Sequence, residues 1–256
     1  MTKNTIHWKS NLYEEKHSFI YAYGEQLLEM LNPKPNEKIL DLGCGNGVLT
    51  DKIKSLGAEV IGVDASPDMI KAAIEKFPQI HFSVMDATLL DLPITFDAIF
   101  SNAVMHWVPE AHKAAKNIFN SLNSGGRFVA EFGGKGNNNN LITALKNAFV
   151  HFGLNANANI DFWYFPSIAE YASVLESVGF KVHFCHLFER PTELQDTENG
   201  VKEWFKMFGE KFFEGLDSDT IDKVLNKTQE SLQASNFKNG KWDADYMRLR
   251  IIAYKP

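Results

Sequence analysis

Asp41-Leu42-Gly43-Cys44-Gly45-Asn46-Gly47 is the stretch of this sequence that decides the fold. The apolar run Lys38–Leu42 leads into the glycines, and Val48–Leu56, which has the composition of a helix, follows them. A strand, a glycine-rich turn and a helix in this order present backbone N–H groups to a nucleotide-like ligand. Asp64 closes the next apolar run, so carboxylates accompany the turn. The stretch predicts an α/β protein with a binding site for an adenosine-bearing molecule.

Strands and helices alternate outward from this turn, because apolar runs of strand length are separated by segments of helical periodicity. The predicted strands are Lys38–Leu42, Glu59–Asp64, Ile80–Met85, Phe96–Ser101, Arg127–Phe132, Phe180–Phe188 and Trp242–Tyr254. The predicted helices are the end of 5–31, Val48–Leu56, Pro67–Phe77, Glu110–Leu122, Leu141–Phe152, Ser167–Val178, Glu198–Glu214 and Asp217–Gln233. Such alternation predicts a parallel sheet with right-handed crossovers. The helical excursion before the last strand predicts an antiparallel edge.

The composition narrows the class of protein. The chain has 256 residues, of which 45% are hydrophobic, and a net charge of −6. These values predict one globular α/β domain, and the negative charge disfavours nucleic acid as a partner. No apolar run is long enough to span a bilayer, and the N-terminus lacks the apolar core of a signal peptide, which predicts a cytoplasmic protein without a membrane partner. Cys44 and Cys185 are expected to be buried thiols.

The spacing of the glycines separates two kinds of ligand. A dinucleotide-binding fingerprint needs a small residue three places after Gly45, and Val48 stands there instead. Asp41 precedes the first glycine by two places, where a carboxylate would repel a pyrophosphate but would suit a cationic amine. The turn therefore points away from a nicotinamide cofactor and towards one that carries an amino acid.

Five motifs together resemble the class I S-adenosylmethionine-dependent methyltransferases. They are, in chain order, Asp41–Gly47, Val63–Met69, Val84–Ala87, Phe96–Asn102 and Leu122–Phe128. Their joint order is far more specific than a single glycine-rich loop. The resemblance covers about residues 5–190 and continues more weakly to the last strand. It implies a Rossmann-like α/β fold with a seven-stranded, mostly parallel sheet, an antiparallel last strand, helices on both faces and a helical cap inserted near the C-terminus.

The resemblance implies a role for each matching position. Asp41 would meet the amine of the methionine portion, Asp64 would accept both ribose hydroxyls, and Asp86 would bind the adenine amino group. The implied cofactor-binding residues are Tyr13, Asp41, Gly43, Cys44, Gly45, Asn46, Gly47, Asp64, Ala65, Met69, Asp86, Ala87, Asn102 and Ala103. The implied cofactor is S-adenosyl-L-methionine, with S-adenosyl-L-homocysteine as its product.

The resemblance also implies a division of the single domain 1–256. An N-terminal helical lid would occupy 1–31, the cofactor-binding core 32–190, a helical cap 191–240 and the final strand 241–256. Tyr13 and His17 lie on one face of the predicted lid helix and are candidates to touch the cofactor or the substrate. Ordinary helix packing is the alternative for both residues.

His106 and Trp107 follow the strand Phe96–Ser101, at the carboxyl edge of the sheet where ligands bind. His106 is a candidate general base because histidine titrates near neutral pH, although a structural role is the favoured alternative. Trp107 could form a wall of the pocket. This pattern is similar to that of trans-aconitate methyltransferase-like enzymes.

Aromatic residues are concentrated in 149–165 and 201–213. Their rings could stabilise a sulfonium ion, fill the core, cap the substrate pocket or form a dimer face. His183 and Cys185 share one face of a predicted strand and are interpreted as core, so the sequence predicts no metal site.

The predicted activity is methyl transfer to a small-molecule acceptor by a monomer or homodimer, with O-, N- and C-methylation left open. A macromolecular acceptor is disfavoured because the chain has no basic tract. Two alternatives belong to other classes: a non-catalytic module that binds S-adenosylmethionine, and an NAD-dependent oxidoreductase, which Val48 disfavours.

Overall fold

A computed structural model describes residues 19–256 of the chain. Tyr13 and His17, the two residues singled out in the predicted lid, lie outside the described residues. The assignment of 1–31 as a lid stays a prediction, and so does the assignment of 191–240 as a cap.

The larger sheet has seven strands in the order β3-β2-β1-β4-β5-β10-β6. Its strands are β1 (Lys38–Leu42), β2 (Glu59–Asp64), β3 (His81–Val84), β4 (Phe96–Asn102), β5 (Leu122–Gly133), β6 (Lys181–Glu189) and β10 (Met247–Tyr254). Strands β1 to β5 pair in parallel, and Asp41 near the end of β1 lies opposite Gly62 of β2 and Phe100 of β4. The central strands thus end at one edge, as the alternating pattern predicts.

The last strand, β10, runs antiparallel to β5. Gly125 donates its N–H to the carbonyl of Lys255, and Lys255 donates to the carbonyl of Gly126. At the other end of the pair, Gly134 donates to the carbonyl of Met247. Early residues of β5 thus meet late residues of β10, which confirms the predicted antiparallel last strand.

Helices cover both faces of the sheet. The helices of the described residues are α1 (Phe19–Leu31), α2 (Val48–Ser55), α3 (Pro67–Lys76), α4 (Ala111–Ser121), α5 (Asn139–His151), α6 (Asn155–Ala158), α7 (Ile168–Ser177), α8 (Gly200–Phe208), α9 (Ser218–Ser231) and α10 (Gln233–Asn236). Residues of α1, α2 and α3 share one core cluster with Ile39 of β1. On the opposite face, Phe132 of β5 meets Tyr171 of α7, with ring centroids 4.8 Å apart. Alternate residues of the buried strands therefore serve two cores.

Two segments differ from the sequence prediction. The predicted strand Trp242–Tyr254 is divided into β9 (Lys241–Ala244) and β10, because Asp245 turns aside to bond the start of α5. Strand β9 belongs to a separate three-stranded sheet with β7 (Thr192–Glu193) and β8 (Phe237–Lys238). His183 is exposed on β6, so its assignment to the core was wrong, and Cys185 is only half-buried.

The chain forms two compact units. The first contains the described residues up to Gly133 together with Pro166–Leu187 and Leu249–Pro256, and hence most of the seven-stranded sheet. The second contains Gly134–Phe165 and Phe188–Arg248. Aromatic side chains form the second unit's own core, in which the buried members are Phe149, Trp204, Phe205, Phe208, Phe212, Phe213, Trp242 and Tyr246. Within the described residues, no helix is long and apolar enough to cross a membrane.

Asp245 caps helix α5 from a distant part of the sequence. Its Oδ2 accepts the backbone N–H of Asn140 at 2.8 Å, whereas Asn138, at the N-cap position, makes no capping bond with its side chain. Burial raises the pKa of Asp245, and the N–H groups of the helix start act in the opposite direction. A carboxylate at this place satisfies an otherwise unpaired donor and suits the positive end of the helix dipole.

Asp245→Ala is expected to lower the free energy of unfolding by about 1–2 kcal/mol, the usual cost of losing a cap. Urea unfolding would measure the difference. Asp243→Ala is the matched control, because the backbone carbonyl of Asp243, not its carboxylate, accepts the bond from Asn236. Equal stability of the two variants would contradict the capping role.

Candidate functional site

The glycine-rich turn has the backbone geometry that only glycine adopts readily. Gly43, Gly45 and Gly47 all have positive φ, at 80°, 54° and 83°. A Cβ at Gly43 would lie 2.0 Å from Cγ2 of Val104, and one at Gly47 would lie 2.7 Å from Cζ of Phe82. Gly45 differs, because a Cβ there would meet nothing within 4 Å. The turn is therefore packed on both flanks and open at its centre, where a ligand can approach the backbone.

Asp64, the last residue of β2, has a carboxylate that is fixed at both oxygens. Oδ2 accepts the N–H of Gly45 at 2.9 Å, and Oδ1 accepts the N–H of Ser66 at 2.8 Å. Burial raises the pKa of Asp64, and these two N–H bonds oppose the rise. Each carboxylate oxygen accepts up to two hydrogen bonds, so each retains a lone pair for a further donor. The site offers two neighbouring acceptors in a fixed orientation, which matches the two hydroxyls of a ribose.

Asp41 is a buried carboxylate with one hydroxyl partner. Its side chain lies on β1 and is 2% exposed, and its Oδ2 accepts the hydroxyl of Thr50 on α2 at 2.7 Å. Burial raises the pKa of Asp41 to about 7, the Thr50 bond lowers it, and the nearby Asp64 raises it. A carboxylate that burial makes costly to ionise gains most from a cationic ligand.

Asp86 follows β3 and opens a short 3-10 helix, Ala87–Leu89. Its Oδ1 accepts both the N–H and the hydroxyl of Thr88, at 2.7 Å and 2.8 Å. The side chain is exposed, whereas Ala87 is buried. Asp86 therefore caps this turn through Oδ1, and its second carboxylate oxygen is available to accept a bond from an amino group.

The remaining predicted contacts lie on the same edge of the sheet. Ala103, just after β4, has a φ of 60° and donates its N–H to the carbonyl of Glu131 at 2.7 Å. Asn102 ends β4, next to Gly24 of α1, where an added Cβ would lie 3.3 Å from its Nδ2. Ser66 caps α3 by accepting the N–H of Met69, which leaves Met69 buried while Ala65 is exposed. Main-chain and side-chain bonds thus fix each of these segments.

Cys44 and Asn46 complete the turn. Cys44 is buried, and desolvation raises the pKa of its thiol well above the ordinary value, with Asp41 and Asp64 adding to the rise. A thiol that stays protonated is a poor nucleophile. Asn46 is buried as well. This environment suits Cys44 as a small packing residue of the turn and disfavours it as a nucleophile.

His106 is buried in a 3-10 turn, Met105–Trp107, after β4. Its Nδ1 accepts the backbone N–H of Gly133 at 3.2 Å, and its ring lies beside Trp107 with centroids 5.3 Å apart. Because Nδ1 accepts a bond, the proton of the neutral ring resides on Nε2. The ring is therefore arranged to donate from Nε2 rather than to take a proton there, which favours the structural interpretation.

Three important side chains were not found from the sequence: Thr50, Val104 and Phe82. Thr50 bonds Asp41, while Val104 and Phe82 close the flanks of the glycine turn. A threonine on the first turn of a helix and apolar residues beside strands are common in any α/β protein, so no local signal marks them. The carboxylates Asp41, Asp64 and Asp86, by contrast, are brought to one edge of the first unit, as the motifs predicted.

These residues fit an adenosylated amino acid. The turn is open at Gly45, Asp64 presents two acceptors for a diol, and Asp41 offers a buried negative charge for an amine. A pyrophosphate would meet two carboxylates at the same place, which opposes its binding. The chemistry of the donor set therefore agrees with S-adenosylmethionine rather than with a dinucleotide.

Comparison with known proteins agrees with this chemistry. A family model described as "Methyltransferase domain" matches residues 40–130. The chain is 32% identical to an uncharacterized methyltransferase, C70.08c, of Schizosaccharomyces pombe, over 97% of this chain and 98% of that protein. It is 34% identical to a trans-aconitate 2-methyltransferase of Rhodopseudomonas palustris, over 41% of this chain and 42% of that protein.

Among solved structures, the YcgJ protein of Bacillus subtilis shares the fold, with a TM-score of 0.64 and 17% identity, over 92% of this chain and 98% of that one. The full-length relative, the five ordered motifs and the seven-stranded sheet agree with one another. The chain belongs to the class I S-adenosylmethionine-dependent methyltransferases.

Proposed function

We propose that this protein transfers the methyl group of S-adenosylmethionine to a small-molecule acceptor. The main observation in support of a cofactor site at these residues is the Asp64 carboxylate. Two backbone N–H groups fix its orientation, and each of its oxygens keeps a lone pair for a further donor. Asp41 is proposed to hold the amine, and Asp86 with Ala87 the adenine. Asn102 and Ala103 are proposed to line the methionine end, and Ala65 and Met69 the adenine face.

The bound cofactor would supply a methyl group activated by an adjacent sulfonium. The residues of this chain then contribute position and solvent exclusion rather than covalent chemistry. Asp64 and the Gly45 backbone hold each other in place, so the ribose acceptors do not need to reorganise on binding. The buried Asp41 fixes one end of the ligand by charge, which restricts its orientation. A carboxylate acceptor needs no general base, because it is already ionised at neutral pH.

The acceptor class is proposed as a small metabolite with a carboxylate group. Partial identity to a trans-aconitate 2-methyltransferase supports the carboxylate, and the net charge of −6 disfavours a nucleic acid as the acceptor. Turnover of radiolabelled S-adenosylmethionine against a panel of carboxylates, amines and phenols is the direct test. Methylation confined to carboxylates is expected.

Two other outcomes of the panel would overturn parts of the proposal. Methylation of amines or phenols alone would show that the protein is a methyltransferase whose acceptor belongs to another chemical class. Tight binding of S-adenosylhomocysteine without turnover on any acceptor would favour the alternative of a non-catalytic binding module. Calorimetry with S-adenosylhomocysteine and with NAD, measured in parallel, also tests the disfavoured oxidoreductase.

His106→Asn is expected to leave turnover within about threefold of the wild type, because an asparagine oxygen can replace Nδ1 as acceptor of the Gly133 N–H. His106→Ala is expected to lower the free energy of unfolding by about 1–3 kcal/mol, because it leaves that N–H without an acceptor. Steady-state kinetics and urea unfolding measure the two effects. A large loss of turnover in a stable Asn variant would instead show that His106 is the base.

A further inference from the structure

Strand β6 ends the seven-stranded sheet on the side away from β3. In the sheet order of the described residues, its one neighbour is β10. The strand is nine residues long, from Lys181 to Glu189, and contains neither proline nor glycine. None of its residues is buried, and Phe184 is 38% exposed. The strand therefore presents a long, regular and partly apolar edge.

Such an edge is a template for pairing with another strand, because alternate N–H and C=O groups point outward along it. Natural proteins prevent pairing at the edges of their sheets with prolines, bulges, short strands or inward-pointing charges. β6 has no proline and is not short, and its charged residues, Lys181 and Glu189, stand at its two ends. No other strand of residues 19–256 pairs with this edge, so a further strand can add to β6 there.

The sequence of β6 is complementary to itself. Two copies related by a two-fold axis pair their β6 strands antiparallel. In any one register, the residue numbers of two opposite residues then always add up to the same value. Opposite residues must both point their backbone groups outward or both inward, so the sum must be even. Centring the axis on Cys185 pairs all nine residues and places Lys181 opposite Glu189 of the second copy at both ends.

Other registers are poorer. A shift of two residues in one direction places Lys181 opposite Leu187 of the second copy and leaves Glu189 beyond the ladder. A shift in the other direction leaves Lys181 beyond it. Only the Cys185-centred register satisfies both charges and uses the full strand, and it also sets Val182 opposite Phe188 of the second copy. Opposite charges and apolar pairs across strands are stabilising, whereas like charges are destabilising.

We propose that the β6 edge is a homodimer interface, in which two copies pair their β6 strands antiparallel about Cys185 and join their sheets into one. This goes beyond the proposed methyltransferase activity and does not depend on it. The partner is a second copy of this chain, chosen because Lys181 and Glu189 are complementary to the same strand reversed.

Charge reversal tests the register. Sedimentation velocity over a wide concentration range is expected to show a dimer for the wild type. Lys181→Glu places like charges opposite each other at both ends of the ladder, so it is expected to raise the dimer dissociation constant by roughly tenfold or more. Glu189→Lys should do the same, and the double variant Lys181→Glu/Glu189→Lys should restore dimerisation. The double variant controls for folding, because it contains both substitutions.

Cys185 provides an independent measurement of the same register. Opposite Cα atoms in an antiparallel pair lie about 4.5–5.5 Å apart, within the range that a disulfide spans. Treatment with diamide, which takes up the two hydrogens that the two thiols lose, is expected to give a disulfide-linked dimer on a non-reducing gel. Cys185→Ser should abolish it, since the other cysteine, Cys44, is buried.

Three results would overturn the proposal. The first is a protein that stays monomeric at every concentration. The second is a dimer whose affinity does not respond to either single charge reversal. The third is a dimer in which diamide produces no Cys185 cross-link. Each of these leaves the methyltransferase assay unaffected, so failure of the dimer and failure of the proposed activity are distinguishable.

Discussion

Asp64→Ala is expected to weaken the binding of S-adenosylhomocysteine by roughly a hundredfold or more, as measured by calorimetry. The variant removes two acceptors for hydroxyl donors, and each hydrogen bond to a charged group contributes about 1.5–3 kcal/mol. The effect should be large because the carboxylate is already oriented by the N–H groups of Gly45 and Ser66. No side-chain reorganisation is then needed when the ligand binds.

The same two N–H groups give Asp64 a structural role that the experiment must separate from binding. Loss of the carboxylate leaves the N–H of Gly45 without its acceptor and can loosen the turn. Asp64→Asn keeps the size of the side chain but sets an NH₂ group against one of the two N–H donors. Both variants are therefore expected to bind weakly, and circular dichroism must show that they remain folded.

Glu59→Ala is the matched control, since Glu59 is an exposed acid at the opposite end of the same strand, β2. Its affinity for S-adenosylhomocysteine should equal that of the wild type. A folded Asp64→Ala protein with unchanged affinity would remove Asp64 from the site. Loss of affinity in both variants would point to a general effect of charge rather than to ribose recognition.

The positions of Asp41, Asp64 and Asp86 were predictable because each follows a run of strand residues. Parallel strands bring their carboxyl ends to one edge, so a local pattern in the sequence fixes a place in three dimensions. The antiparallel last strand was also predictable from the helical excursion that precedes it. Both inferences rest on rules that connect neighbouring elements of the chain.

Features that join distant parts of the chain were not predictable. Asp245 caps α5 across more than a hundred positions, and this bond breaks the predicted strand Trp242–Tyr254. The residues 134–165 join the compact unit of 188–248 rather than that of the sheet. In each case the partner is selected by tertiary packing, and periodicity within a segment carries no information about it.

The bond between Thr50 and Asp41, inside the site, was likewise not predictable from the sequence. The motif identifies Asp41, but the hydroxyl that bonds it comes from α2, where nothing in the local pattern marks one residue above its neighbours. The consequence is functional, because burial raises the pKa of Asp41 and this bond opposes the rise. The motif therefore predicts a residue to meet the amine and carries no information about the hydroxyl that bonds it.

The affinity for S-adenosylhomocysteine is expected to rise with pH up to about pH 7 and then to level off. Burial raises the pKa of Asp41 to about 7, so below that pH the carboxyl is mostly neutral in the empty site. Pairing with the ligand amine requires the ionised form, and affinity should therefore fall by up to about tenfold for each pH unit below the midpoint.

The stability of the ligand-free protein should change in the opposite sense. An unfolded Asp41 ionises near pH 4, whereas the folded one holds its proton to about pH 7. Between these values the folded state binds more protons, so the free energy of unfolding should decrease as pH rises. The contribution of Asp41 to the free energy of unfolding is fully present below about pH 4 and is lost as the pH rises through about 7.

Asp41→Asn and Thr50→Val separate the charge of Asp41 from its environment. The Asn variant keeps an acceptor for Thr50 and should bind weakly, without the step in affinity near pH 7. The Val variant removes the bond that stabilises the ionised carboxyl, so its midpoint should move upward by about one pH unit or more. Calorimetry between about pH 5 and 7.5 keeps the ligand amine charged throughout. A wild-type affinity that stays constant over this range would show that Asp41 does not hold the amine. A Thr50→Val midpoint at the wild-type value would show that the hydroxyl does not control its ionisation.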